Sequence, residues 1–518
     1  MDYRSCAALS LIEGAALMVM HKIPICPAII YLFLLLFLVQ YLTLKIYDTF
    51  IYPYFGSPLR YLPGPKDHHF FIGQTLRQFR ANGPYELYLS WSRKWPDAPF
   101  IRYISFGNSG TLLVNSLKAH QEVLQKNCYS FVKPPFFARI VGEVTGKGLV
   151  FAEGDEHRKQ RRLLNVGIFS TPNIKKLVPV VHANAKCLAN TIEDGIGSGE
   201  SAVIEVVSLF SKATLDIIGL ITLGKELSTL NSSPSFHDCY DRIFNQSALS
   251  SFITAVNTWI PLRKWLPIEA NLTFVRANAE VKRILLEQIR SRKQEMALDK
   301  TVKESTKVPI SRDILTYLLE TRLLEEEAWT EDELLGYILT LPNNADPGYA
   351  ELESLRYLNN FCREVLRVYA PAVMIWREAR TDVIIDGTFV PKGTSLIISP
   401  QVAHFHPQIW GENCETFDPD RWDHLPAEAA SPYAFESFSA GPRVCIGKGL
   451  AMLEFKAILI KIVSRFSFEG LNRKMILENY LTLRPKGGLM VRVKRRNYGP
   501  IEATRQRGSN RKTSAWLA

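Results

Sequence analysis

Phe438-Ser439-Ala440-Gly441-Pro442-Arg443-Val444-Cys445-Ile446-Gly447 is the most informative stretch of this chain. A lone cysteine is usually a small buried hydrophobe, but Cys445 keeps different company. Gly441 and Gly447 bracket it and let the backbone approach a flat ligand. Arg443, two residues before it, can pair with an anionic group. The pattern predicts a helix from near Gly449, whose N-terminal dipole would stabilise a thiolate. A thiolate held by backbone amides, an aromatic wall and a nearby arginine is what a haem iron and its propionates require.

The rest of the chain sets the context. It has 518 residues, 47% hydrophobic and 22% charged, so disordered and low-complexity classes are excluded. Its eight cysteines show no zinc-like spacing and are too sparse for a disulfide scaffold; reduced thiols facing the cytosol are expected. Net charge is +11, and from Lys494 onward seven basic residues face one acid, Glu502. Such a tail suits nucleic acid or an anionic membrane surface. The second reading fits the rest of the sequence, and no nucleic-acid partner is expected.

Ile23 to Leu44 holds 22 residues without a charge. As a helix it would be about 33 Å long, enough to cross a bilayer core. No small-residue cleavage site follows, and Tyr52, Tyr54 and Tyr61 suit an interfacial belt, so a single-pass anchor is expected rather than a signal peptide. Charge leaves its orientation weak: Arg4 and Lys22 precede it, and Lys45, Arg60 and Lys66 follow. The organisation read from this is a leader at 1–22, the anchor at 23–44, a hinge at 45–66 with the stiff spacer Leu62-Pro63-Gly64-Pro65, a body at 67–493 and a basic tail at 494–518. Sequons at Asn231, Asn245 and Asn271 would report a luminal body.

Within the body, Phe100–Phe106 and Thr111–Asn115 flank Gly107-Asn108-Ser109-Gly110 and predict a hairpin. Helical spacing predicts helices over Leu117–Lys126, Asp155–Leu164, Thr171–Thr191, Val203–Leu220, Phe274–Gln294, Ile314–Glu320, Glu331–Leu341, Leu355–Tyr369 and Gly449–Phe466. Glu295–Ser311 reads as a polar linker, and Val383–Ile385, Thr388–Val390 and Ser395–Ile398 as short strands turning at Gly387 and Gly393. The fold class is therefore mainly α with a small β region. The apolar stretch around Phe252, Ile253, Trp259 and Trp265 is either core or a loop that dips into the membrane.

At this point the chain resembles the cytochrome P-450 family, the haem-thiolate monooxygenases. Phe438 to Gly447 matches every fixed position of the family pattern F-x-x-G-x-R-x-C-x-G. Glu364-Val365-Leu366-Arg367 matches its E-x-x-R, 81 residues before Cys445, and i, i+3 spacing puts both side chains on one helix face. Phe417 to Trp422 resembles the family's meander, whose Arg421 would join Glu364 and Arg367 in a buried network. Gly154 to Arg162 resembles the helix bearing W-x-x-x-R, with His157 in the Trp place and Arg161 in the Arg place. Weaker similarity runs from Leu62 to about Val491.

The resemblance implies a cytochrome P-450 fold behind one transmembrane helix. Cys445 would be the axial ligand of iron in haem b, with Phe438, Gly441 and Gly447 shaping its seat. Arg161, Arg377 and Arg443 would pair with propionates, and His157 would donate a hydrogen bond. The apolar turn Ala370 to Trp376 resembles the family's substrate-contacting turn, so Val373, Met374 and Ile375 are the expected substrate contacts. Electrons would come from NADPH-cytochrome P-450 reductase. A body facing the cytosol from the endoplasmic reticulum membrane is expected, with a lipophilic substrate from terpenoid, polyketide or alkaloid tailoring; fatty-acid hydroxylation is the alternative.

One family feature is missing. The central helix motif [AG]-G-x-[DE]-T, which manages protons during oxygen activation, is not found, so no catalytic residue is assigned. Trp329 to Thr340 resembles the start of that helix, but Leu341-Pro342-Asn343-Asn344-Ala345-Asp346-Pro347-Gly348-Tyr349 cannot continue it. Relative to the family, roughly 35–50 residues are absent, about one long helix and its successor. A skipped exon or misplaced intron, a true deletion leaving a haem-binding pseudoenzyme or scaffold, and a peroxide-using isomerase are the three explanations.

Overall fold

The structure is a computed structural model that describes 3–21, 28–302 and 348–496, with short breaks at 82, 147 and 168 and within 224–235, 245–246, 258–264 and 472–481. The expected helices Ile314–Glu320 and Glu331–Leu341, almost all of the break at 341–349, the tail beyond 496, Asn231 and Asn245 lie outside the described residues.

Two helices lead the chain. α1 (Tyr3–His21) occupies the region read as a leader, and α2 (Ala28–Ile46) lies in the region read as the anchor and runs two residues past its expected end at Leu44. Residues 22–27, which include Pro24 and Pro27, lie outside the described residues, and Lys45 and Ile46 continue the helix. The apolar helical span reaches from Ile30 to Gly56 and none of its most apolar window is buried inside the protein. The Pro-rich spacer is docked, not free. Arg102 N–H donates to Pro63 O at 2.8 Å. A Cβ at Gly64 would stand 1.7 Å from Arg102 O, so only glycine permits this approach.

The body is mainly helical with small sheets, as the pattern predicts. β1 (Phe100–Ile104) and β2 (Gly110–Val114) form the expected hairpin, with Phe100 opposite Val114. They continue a five-stranded sheet in the order β1-β2-β8-β5-β3, where β3 is Phe131–Val132, β5 Ile375–Ala379 and β8 Ser395–Ile398. Only β2 and β8 run parallel in it. β6 (Val383–Ile385) and β7 (Thr388–Val390) form the predicted hairpin turning at Gly387.

Two expectations are corrected. Val203–Leu220 is not one helix: Ser201–Glu205 is strand β4, and α5 runs Val206–Leu223. β4 pairs with β12 (Met490–Arg495), and the Glu205 carboxylate caps α5 by accepting from Val207 N–H at 3.0 Å and Ser208 N–H at 2.7 Å. Glu295–Ser311 does not begin as a linker, because α6 (Glu269–Val302) runs through its first eight residues. Glu, Met, Ala, Leu and Lys in that stretch are good helix formers, and polarity alone does not stop a helix.

The main core joins α4 (Thr171–Ile196), α5, α6 and α8 (Lys448–Arg465) through Leu188, Ile217, Ile289, Leu450 and Leu453, all fully buried. Each such side chain contributes about 1.5–3 kcal/mol when removed from water. This core fixes α8, and α8 fixes the loop that precedes it. The stretch around Phe252 divides: Ile253 is buried, whereas Phe252 and Trp265 are exposed. Asn271 is buried, and its amide donates to Arg263 O and Leu266 O, so this sequon cannot serve as a glycan reporter in the folded body.

Candidate cofactor site

The loop before α8 is built by local geometry. Cys445 N–H donates to Phe438 O at 2.8 Å, and Ser439 N–H to Glu436 O at 2.8 Å, which closes the loop on itself. Ser439 and Gly441 both have positive φ, 60° and 66°. At Gly441 a Cβ would stand 2.1 Å from Leu124 O, so the position admits only glycine. Gly447 is the cap residue of α8, which begins at Lys448. Burial pushes the Cys445 thiol up, while the Gly447 N–H and the charges of Arg161 and Lys448 pull it the other way. The predicted dipole effect is thus outweighed by desolvation. A bound iron would remove the thiol proton outright.

Next to this loop lies a cluster of cations. Arg443 donates to Ala152 O at 3.1 Å and to the Glu153 carboxylate. Arg161, on α3 (Gly154–Gly167), donates to Val444 O. Arg377, on β5, is buried and donates to Trp376 O at 2.8 Å; burial and the Arg443 charge bring it down to about 10. Lys133 lies 3.6 Å from Glu153, and burial together with Arg377 lowers it to about 7. His157 meets the Tyr129 hydroxyl at 3.2 Å, and burial followed by Arg443, Lys133, Arg161 and Arg377 lowers it to about 3, so its imidazole is neutral.

These residues fit a haem. Glu153 is the carboxylate that Lys133 and Arg443 contact, and it faces more cationic charge than it can balance. Among the described residues, Arg443 Nε is buried without a hydrogen-bond partner. Crowded, partly buried cations are costly until anions join them, and two propionates supply that charge. The structure thus brings Arg161, Arg377, Arg443 and His157 to one place beside Cys445. The sequence reading missed Lys133, Glu153 and Tyr129. Nothing in the sequence marks them, because each comes from a segment with no motif of its own.

Behind the loop, α7 (Arg356–Val368) carries Glu364 and Arg367, both fully buried. Arg367 Nε and Nη2 donate to the Glu364 carboxylate at 2.8 and 2.7 Å, and Arg421 Nε donates to it at 3.0 Å. Asp418 N–H and Trp422 Nε1–H add bonds of 2.9 and 3.0 Å. Burial pushes the Glu364 carboxyl up, but the Arg367 bond and charge, the Asp418 amide and Arg421 outweigh it and hold the carboxyl below its ordinary value. His404 locks the network to the loop. Its Nδ1 lies 2.8 Å from Arg367 O, and its Nε2 accepts from Glu436 N–H at 2.9 Å.

In the turn after α7, Val373 is buried and Ile375 opens β5. Met374 packs with Tyr88, whose hydroxyl donates to its sulfur at 3.4 Å. The structure therefore gives Met374 a packing partner that the sequence did not suggest.

The family profile of cytochrome P450 matches residues 63–343 and 338–493. The two pieces meet at the point where the expected central helix breaks off. The cytochrome P450 monooxygenase sphH of Aspergillus fumigatus is 29% identical over 504 residues, covering 88% of this chain and 91% of its own length. FUM15 of Gibberella moniliformis, a cytochrome P450 monooxygenase, is 28% identical over 87% of this chain and 90% of its own. The 504 aligned positions exceed the part of this chain they cover, so sphH carries segments that this chain lacks. Among solved structures, a cytochrome P450DA heme domain superposes with a TM-score of 0.67 at 18% identity, covering 84% of this chain and 98% of that one.

Proposed function

The chain belongs to the cytochrome P450 family and is a cytochrome P450 monooxygenase, and on that premise we propose that Cys445 is the axial ligand of haem b in an enzyme oxidising a lipophilic small molecule. The observation that carries this reading is the pairing of the Cys445 loop with a cation cluster that one carboxylate cannot balance. Haem, when bound, supplies the oxygen activation and C–H oxidation. The chain supplies the rest. The Gly447 N–H and Arg161 favour the Cys445 thiolate, while Arg443, Arg377 and Lys133 would hold propionates. His157, neutral and tied to Tyr129, offers its other ring nitrogen. The apolar turn at Val373 and Ile375 suits a hydrophobic substrate, such as a terpenoid, polyketide or alkaloid intermediate. NADPH-cytochrome P450 reductase is the electron donor, and the body faces the cytosol from the endoplasmic reticulum.

The reduced, carbon-monoxide-treated protein should show the shifted Soret band of a thiolate-ligated haem, and Cys445→Ala should abolish it. A band that survives the substitution overturns the assignment.

A second reading concerns the break after Thr340. The junction of the two matched pieces at 338–343 favours a segment missing from the oxygen-activating helix. This form would then bind haem but couple electrons poorly to product, because the proton-delivering acid and threonine are absent. Sequencing the transcript across Leu341–Tyr349 tests it: a longer message carrying [AG]-G-x-[DE]-T restores the full enzyme, and an unchanged message makes the loss real.

A further inference from the structure

We propose that the N-terminus crosses the membrane twice, as an antiparallel hairpin of α1 and α2, which puts Tyr3 on the same side as the body. This rests on the membrane-anchor reading and replaces its single pass. α1 and α2 have 19 residues each. Both would be about 28 Å long, matching the hydrocarbon core.

The packing between them is the main evidence. Cys6, Ser10 and Gly14 recur every fourth residue on α1 and are buried in the described structure. A Cβ at Gly14 would stand 2.2 Å from the Phe33 ring, so small residues let the helices close on each other. Ser10 Oγ lies 2.8 Å from Cys6 O and 3.1 Å from Gln40 Oε1, two acceptors that share its one hydroxyl proton. The Gln40 amide in turn donates to the Glu13 carboxyl. Outside, Leu11, Ile12, Ile30, Leu34, Leu35 and Leu38 are exposed.

The pair is therefore inverted relative to a water-soluble hairpin. Its small residues Cys6, Ser10 and Gly14 face inward, its large apolar groups face out, and the exposed Glu13 is tied to the seam by Gln40. Lipid favours that arrangement and water penalises it. An acid placed within a spanning helix needs a polar partner, and Gln40 provides one for Glu13.

Charge supplies an independent argument. The contacts of Ser10 and Glu13 with Gln40, and of Gly14 with Phe33, set an antiparallel register. Arg4 then lies at the same end as Lys45, followed by Arg60 and Lys66 on the body side, while the connecting stretch 22–27 carries Lys22 alone. Positive charge thus concentrates on the body side, the cytosolic side under the positive-inside rule. A single pass splits the same charges across the bilayer.

The full-length protein in sealed microsomes decides the matter. Alkaline carbonate should leave it in the membrane; extraction into the supernatant would mean that the anchor reading itself fails. With the protein retained, an acceptor sequon tag ahead of Met1 should remain unglycosylated, and a cassette carrying a sequon inserted between Lys22 and Ile23 should be glycosylated. An N-terminal epitope on the otherwise unaltered chain should be lost almost completely to added protease. A glycosylated, protease-protected N-terminus in a carbonate-resistant protein would restore the single pass and overturn the hairpin. A cassette at Lys22 that stays unmodified would show that the turn never reaches the lumen, which also overturns it.

Discussion

The two buried arginine clusters of the body differ in one respect. Around Glu364 the charges are closed. Arg367 and Arg421 share its carboxylate, and their remaining donors reach the backbone oxygens of His404, Cys414, Thr416 and Asn413. Around Glu153 they are open: among the described residues Arg443, Lys133 and nearby Arg377 outnumber the carboxylate, and Arg443 Nε has no partner. A closed cluster needs nothing from outside, so its work is structural. An open cluster is favourable only with an anionic ligand in place. On the proposed reading, the difference separates residues that hold the fold from residues that would hold the cofactor.

Breaking the closed cluster should have the largest effect. Glu364→Ala leaves Arg367 and Arg421 buried without their carboxylate, and breaking such a network costs about 3–5 kcal/mol. Folded protein should fall below detection in membranes, with or without added haem. If Glu364→Ala gives normal amounts of soluble-domain signal by circular dichroism and thermal melting, the cluster is not structural. Opening the other cluster further should act on the ligand instead. Arg443→Ala should leave the polypeptide at near-normal abundance and speed haem transfer to apomyoglobin. Losing one partner of a desolvated charge pair costs about 2 kcal/mol or more, roughly a thirtyfold weakening. Equal loss of haem and polypeptide would erase the distinction between the clusters.

Much of this contrast was legible beforehand, but unevenly. Cys445, Arg443 and the Glu364–Arg367 pair lie within short segments whose spacing alone brings them together. Arg421, Arg161 and Arg377 came only through family resemblance, since they lie on separate segments. Lys133, Glu153 and Tyr129 were invisible, because their meeting depends on how β3, the start of α3 and the Cys445 loop fold back on one another. The strand β4 was missed for a related reason. Ser201–Glu205 is apolar enough for either element, and its pairing with β12 lies nearly three hundred residues away. α1 was passed over because Glu13 interrupts its apolar run, and Gln40, its partner, lies on another helix.

The closed cluster should also be sensitive to acid through His404. Burial above all holds His404 down at about 3, against an ordinary 6.5. Only the neutral ring can both donate to Arg367 O and accept from Glu436 N–H. With the folded value depressed, the stability it contributes is complete above pH 6.5 and is lost as pH falls toward 3. By pH 5 the loss should be about 2 kcal/mol. Urea titrations at pH 7 and pH 5 should show it, and His404→Gln should show a smaller difference between the two pH values. An unchanged pH dependence in the variant would place the acid sensitivity elsewhere.

The smallest effect, and the one that best separates the two clusters, belongs to Lys133. Burial, followed by Arg377, lowers this lysine to about 7 from an ordinary 10.5. Without haem its charge is therefore unwelcome, and its depressed value costs stability as pH falls from 10.5 toward 7. With propionates beside it the same charge becomes favourable. Lys133→Met keeps the length of the side chain and removes the charge. The haem-free polypeptide should then gain stability at neutral pH, and its stability should vary less between pH 7 and 10. The haem-loaded protein should instead release haem several times faster. Opposite signs in the two states are the signature of a residue that serves a ligand. A structural lysine would destabilise both states when replaced, and that outcome would move Lys133 from the open cluster to the packing around it.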